Sequence, residues 1–161
     1  MKKLLSKFII GIIIIIIIIA ITAIAILHSK NNILFKKSNT SAFGNYEDGY
    51  IIYKNGIIQK YYVKDGKYLK YTKYLEKAKI TNEELSKLKE LANTVEDKFE
   101  ENTGFQRPST EDRLEIKIYS DKLSKFVELY ILGFGTFCGL NPTETANEIL
   151  EFTGILYDKY L

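Results

Sequence analysis

Residues 8–27 form an apolar run of 20 residues without one charge, with eight consecutive isoleucines from Ile12 to Ile19. A helix apolar on every side has no place on the surface of a small domain. At about 1.5 Å per residue this one extends about 30 Å, the hydrocarbon thickness of a bilayer. Isoleucine is a poor helix former in water, but in lipid the backbone must satisfy its own hydrogen bonds and becomes helical. Residues 1–27 therefore read as an N-terminal transmembrane signal anchor.

The rival reading is a cleaved signal peptide, for which Ala23-Ile24-Ala25 has the small-x-small form. The run is longer than a usual signal core, and Ile26-Leu27 continue it past that point. Lys2, Lys3 and Lys7 precede the helix, and Lys30, Lys36 and Lys37 follow it. Crowding of the first three into a short tail favours the N-terminus inside. The expectation is a single-pass protein of a cell membrane with its C-terminal domain extracytoplasmic. The alternative is a cytoplasm-facing regulatory domain.

The net charge is +3, and setting those six lysines aside leaves −3 for the rest of the chain. A mildly acidic domain gives no reason to expect nucleic acid as partner. Residues 28–47 are rich in Asn, Ser and Lys and read as a polar tether, with Ile33-Leu34-Phe35 as an apolar patch at the membrane interface. That leaves residues 48–161 as one small domain, long enough for a core of its own.

The domain opens with Tyr50 to Lys54, Asn55-Gly56, Ile57 to Lys64, Asp65-Gly66, and Lys67 to Tyr74. Asn-Gly and Asp-Gly suit two-residue hairpin turns, so these residues predict a three-stranded meander. That register puts Ile51, Tyr53, Ile58 and Tyr62 on one face, and Tyr50, Ile52, Tyr61 and Val63 on the other. Thr81 and Glu84 then form a capping box ahead of the stripe Leu85, Leu88, Leu91, Ala92, Val95 and Phe99, with Gly104 as C-terminal cap. Arg113 to Tyr119 and Lys125 to Leu132 predict a hairpin. Asn141 caps a last helix striped by Ala146, Ile149, Leu150, Thr153, Leu156 and Tyr160. The predicted class is α+β: a transmembrane helix, then a βββ-α-ββ-α domain with a mainly antiparallel sheet and two packed helices.

Residue types limit the chemistry. The one histidine, His28, ends the hydrophobic helix, and the one cysteine, Cys138, sits in a glycine-rich loop. Serine–histidine and cysteine–histidine catalysis lack their base, and zinc lacks its usual ligands. The glycines at 133, 135 and 139 match neither phosphate-loop spacing. No motif is specific to one family, and no cofactor is expected. Paired carboxylates, with Glu111 and Asp112 the loop acids to watch, leave an envelope hydrolase as the alternative. Seven tyrosines and six lysines occur within residues 50–74. Tyrosine suits contact surfaces, and lysines between tyrosines favour an anionic partner. Tyr50, Tyr61, Tyr68, Tyr74, Lys54 and Lys70 are the candidate binding residues. The function expected is that of a membrane-tethered, non-enzymatic interaction module facing an envelope protein or anionic polymer.

Overall fold

Ile33–Ser41 is a strand, β1, and it lies in the middle of the sheet. The computed structural model describes residues 15, 32–41, 46–65, 70–101, 112–133 and 138–161, the side chains of 65 and 70–72 excepted. The anchor expected at residues 8–27 lies outside the described residues apart from Ile15. Among the described residues no helix is long and apolar enough to cross a membrane. The chain divides between Asn32 and Ile33, and the domain occupies the second part.

The tether is therefore corrected: the domain begins at Ile33, not at residue 48. Leu34 and Phe35, placed at a membrane interface by their polar context, are 0% exposed in the core. The reason is pairing. β1 runs antiparallel to β2 (Tyr46–Tyr53) on one side and to β6 (Asp112–Ser120) on the other. The remaining strands are β3 (Ile57–Asp65), β4 (Lys70–Lys79), β5 (Glu100–Glu101), β7 (Lys125–Leu132) and β8 (Cys138–Leu140). Among the described residues they form one antiparallel sheet of eight strands, in the order β4-β3-β2-β1-β6-β7-β8-β5. Two helices, α1 (Asn82–Thr94) and α2 (Glu144–Tyr160), complete an α+β domain.

One cross-strand row organises the core. Ala78, Ile58, Ile52, Phe35, Ile118 and Val127 pair in turn across six strands. All but Ala78 are 0% exposed. Leu88, Leu91 and Ala92 of α1 and Ala146, Ile149 and Leu156 of α2 pack against this side. Opposed apolar pairs are the unit of sheet stabilisation, and here each pair also lies under a helix.

The first hairpin forms with a different turn from the one predicted. The Gly56 amide donates to the Tyr53 carbonyl at 2.9 Å, and Gly56 has φ +83°. Ile52 pairs with Ile58, so the loop is the three residues Lys54, Asn55 and Gly56. Such a loop is a tight turn closed by a left-handed glycine. One extra residue slips the register by one and changes which side chains share a face. Ile58 joins Tyr50 and Ile52 in the main core, while Ile51, Tyr61 and Val63 form a second cluster. In β4, Leu75 and Glu76 bulge opposite Lys60, because Gln59 pairs with Lys77 and Tyr61 with Tyr74. A bulge and several lysines are what keep an exposed edge strand from pairing further.

The capping box of α1 forms as predicted: Glu84 N donates to Thr81 Oγ1 at 3.2 Å and Thr81 N to Glu84 Oε2 at 2.8 Å. The helix stops five residues short of Phe99. The Thr94 hydroxyl donates back to the Glu90 and Leu91 carbonyls, and Val95 is extended but still buried. Extended chain delivers Val95 to the core as well as a helix would, which is why the apolar spacing misled. The last helix is capped by Thr143, not Asn141. Asn141 is 1% exposed and acts one step earlier. Its Oδ1 accepts from the Thr143 amide and hydroxyl, and its Nδ2 donates to the Glu96 carbonyl at 2.6 Å.

Glu84 also joins the start of α1 to the end of α2. It accepts from Lys159 Nζ at 2.8 Å and from the Tyr160 hydroxyl at 2.8 Å. Partial burial alone would raise its carboxyl, but the bonds from Lys159, Thr81 and Tyr160 outweigh it and hold the group down at about 2. A carboxyl depressed on folding contributes stability that is present above its unfolded value near pH 4 and is lost as the pH falls toward 2. Urea unfolding should therefore show Glu84→Gln destabilised at pH 7 and nearly level with the parent at pH 2. Phe35→Ala should lose about 3–5 kcal/mol in the same assay. Leu123→Ala, at an exposed turn, should stay within about 0.5 kcal/mol.

Candidate functional site: a lysine and tyrosine groove on the sheet

The face that carries the Phe35 row changes character along the strands. Alternation keeps Phe35, Lys37 and Asn39 of β1 on one side. Two residues beyond the apolar row, Lys37, Tyr50 and Lys60 pair across β1, β2 and β3. Two further on, Asn39, Asp48, Tyr62 and Lys73 pair across β1 to β4. Tyr46 and Lys64 form the next pair. These residues, Tyr46 excepted, line a groove of about 610 Å³, with Tyr157 of α2 and Leu75 of β4 also in its lining. That volume lies within the range typical of small-molecule sites.

Tyr50 marks the boundary between core and groove. It is 4% exposed, and its hydroxyl donates to the Thr153 carbonyl at 3.2 Å. Its ring centroid is 5.5 Å from that of Phe35 and 4.8 Å from that of Tyr157. Burial pushes its phenol up to about 12. Beside it, Gly49 lets β1 and β2 approach closely: a Cβ there would lie 2.0 Å from the Lys37 carbonyl oxygen. Further out, the rings of Tyr46 and Tyr62 stack at 6.2 Å.

The electrostatics are one-sided. Lys60 is engaged, donating to Glu76 Oε2 at 3.1 Å and to the Leu161 carbonyl at 2.8 Å. Its Nζ also sits 5.1 Å from the centre of the Tyr157 ring. Lys37, Lys64 and Lys73 also line the groove and carry no ion pair among the described residues. Lys37 lies 5.9 Å over the Tyr50 ring, a contact that leaves its charge uncompensated. Among the described residues Asp48 is the one carboxylate in the lining, and its Oδ1 is buried and accepts no hydrogen bond from them.

The structure does not gather the six expected binding residues into one surface. Tyr50 forms the inner end of the groove. Tyr61 is also among the residues lining the groove, but its ring packs with Ile51 and Val63 on the opposite face, where its hydroxyl donates to Glu47 Oε1 at 2.7 Å. Burial, then the Glu47 carboxylate, push its phenol strongly up. Tyr74, 55% exposed, pairs with Tyr61 on edge strand β4. Lys54 sits at the first turn, bonded to Asp121 at 2.6 Å and 4.0 Å over the Tyr119 ring. Tyr68 and the Lys70 side chain lie outside the described residues.

Sequence reasoning missed Lys37 and Asn39 because they stood in the presumed tether. It missed Asp48 because β2 begins at Tyr46, four residues before the strand predicted from Tyr50. The alternation Phe35, Lys37, Asn39 was the signal available, once β1 is read as a strand. Of the two loop acids, Glu111 lies outside the described residues. Asp112 begins β6 and accepts from the Tyr46 hydroxyl at 3.5 Å. Cys138 is half-buried at the start of β8, away from the groove. Among the described residues no group of three acid, histidine or cysteine side chains could hold a metal ion.

No protein-family model matches the chain, and no curated protein matches it in sequence. Buried neutral phenols predict an alkaline limit to stability. The contribution of Tyr50 is present in full below its unfolded value near pH 10 and is lost as the pH rises toward 12. An ultraviolet titration should show two tyrosines that ionise only together with loss of far-ultraviolet circular dichroism. Tyr50→Phe, which gives up one hydrogen bond worth about 1 kcal/mol, should remove part of that alkaline loss.

Proposed function

We propose that this protein is a membrane-tethered, non-enzymatic binding module that holds an anionic ligand of the cell envelope in the groove between β1, β4 and α2. The observation that carries the reading is the set of three lysines without ion pairs among the described residues, Lys37, Lys64 and Lys73, around a concavity walled by tyrosine. Three like charges held near one another raise the local potential and reward a ligand of opposite sign. Tyrosine rings add apolar contact at low conformational cost. The tether rests on residues 8–27, whose uncharged length suits a bilayer. In this reading the domain faces away from the cytoplasm.

The test is titration of the full chain in detergent with polyglutamate and polyphosphate as probes. Replacing Lys37, Lys64 and Lys73 together by glutamine should weaken binding of the better probe about 30-fold, roughly 2 kcal/mol over three exposed charge contacts. Raised salt should weaken the parent and leave the triple variant little changed. Lys54→Gln, at the first turn, should bind as the parent does. Equal binding by a folded triple variant would overturn the assignment. Retention in the membrane pellet after alkaline carbonate washing, lost on deleting residues 8–27, checks the tether.

A further inference from the structure

We infer that the ligand of this groove is a hydroxyl-rich polyanion, an acidic carbohydrate or polyol polymer, and not an acidic peptide. The inference rests on the binding role proposed above and narrows its chemistry. Lysines alone would accept any anion. The row beyond Tyr50 is more selective, because it sets Asn39, Asp48 and Tyr62 side by side on adjacent strands. Side chains paired in this way stand about 5 Å apart at Cβ, close enough to address neighbouring groups of one ligand.

Each residue in the row asks for something different. A carboxylate is an acceptor only, an amide is both donor and acceptor, and an ammonium is a donor only. Asp48 is the one carboxylate of the groove's lining among the described residues, so a ligand that brings it a donor fits better than one that brings only charge. An acidic peptide brings Asp48 a repelling carboxylate with every side chain and a donor only from its backbone amides. A ligand whose anionic groups alternate with hydroxyls brings donors to Asp48, donors and acceptors to Asn39, and charge to Lys64 and Lys73. Tyr62, part of the groove's lining, supplies an apolar wall in this row. Such a wall suits the C–H face of a sugar or polyol.

The experiment compares four probes of matched charge on the full chain in detergent. Oligogalacturonate and poly(ribitol phosphate) carry hydroxyls, and polyglutamate and polyphosphate do not. At least one hydroxyl-bearing probe should bind about tenfold tighter than both hydroxyl-free ones. The tighter of the two tells whether the charge is carboxylate or phosphate. Asp48→Asn and Asn39→Ala should each erase most of that preference, while Asp48→Asn leaves polyglutamate binding equal or improved because a like charge is gone. Thermal unfolding of both variants confirms that they are folded. Equal or tighter binding of the hydroxyl-free probes overturns this inference and leaves the anion-binding role standing. An acidic peptide ligand is the reading that polyglutamate, if tightest, would support. Failure of all four probes removes both.

Discussion

The pairing of β1 between β2 and β6 is the constraint on which the rest of the domain depends. Without it the meander of β2, β3 and β4 and the strands β6, β7, β8 and β5 would be two separate sheets, with no continuous apolar face between them. β1 joins them through Phe35, which pairs with Ile52 on one side and Ile118 on the other. The apolar row thereby becomes continuous across six strands, and two helices can bury themselves on one surface. The helices are in turn tied to each other by Glu84, which caps α1 and holds Lys159 and Tyr160 of α2.

The groove is a consequence of the same strand. The sheet face under the helices is apolar where they cover it and turns to lysine, tyrosine, asparagine and aspartate further along. Tyr50 sits at the change and serves both sides, with its ring against Phe35 and Tyr157 and its hydroxyl on the Thr153 carbonyl. A rigid floor of paired strands places Lys37, Asp48 and Tyr62 without any loop having to order. The backbone beneath these side chains is therefore already ordered by strand pairing.

Signals that depend on nearby residues were legible. The capping box of Thr81 and Glu84, the alternation of Leu114, Ile116 and Ile118, and the helical stripe of Ala146, Ile149, Thr153 and Leu156 all formed where their spacing placed them. The strand at 125–132 began and ended as predicted. Signals that depend on distant partners were not. β5 and β8 have two and three residues, too few to show a period. β1 hid among asparagine, serine and lysine because only its first third is buried under the helices, while Lys37 and Asn39 line the groove.

The sequence by itself determined the uncharged 20-residue run, the class of the domain, most of its helices and strands, and the absence of histidine from everything after residue 28. These follow from residue type and short-range period, which need no partner. Only the tertiary structure decided that residues 33–41 belong to the sheet, that a three-residue loop sets the first register, and that Tyr50 and Tyr61 face opposite ways. Strand pairing and register are settled by contacts between residues far apart in the chain, and a shift of one residue in a turn exchanges the two faces. The groove is assembled from four strands and a helix, so no stretch of the sequence carries it alone.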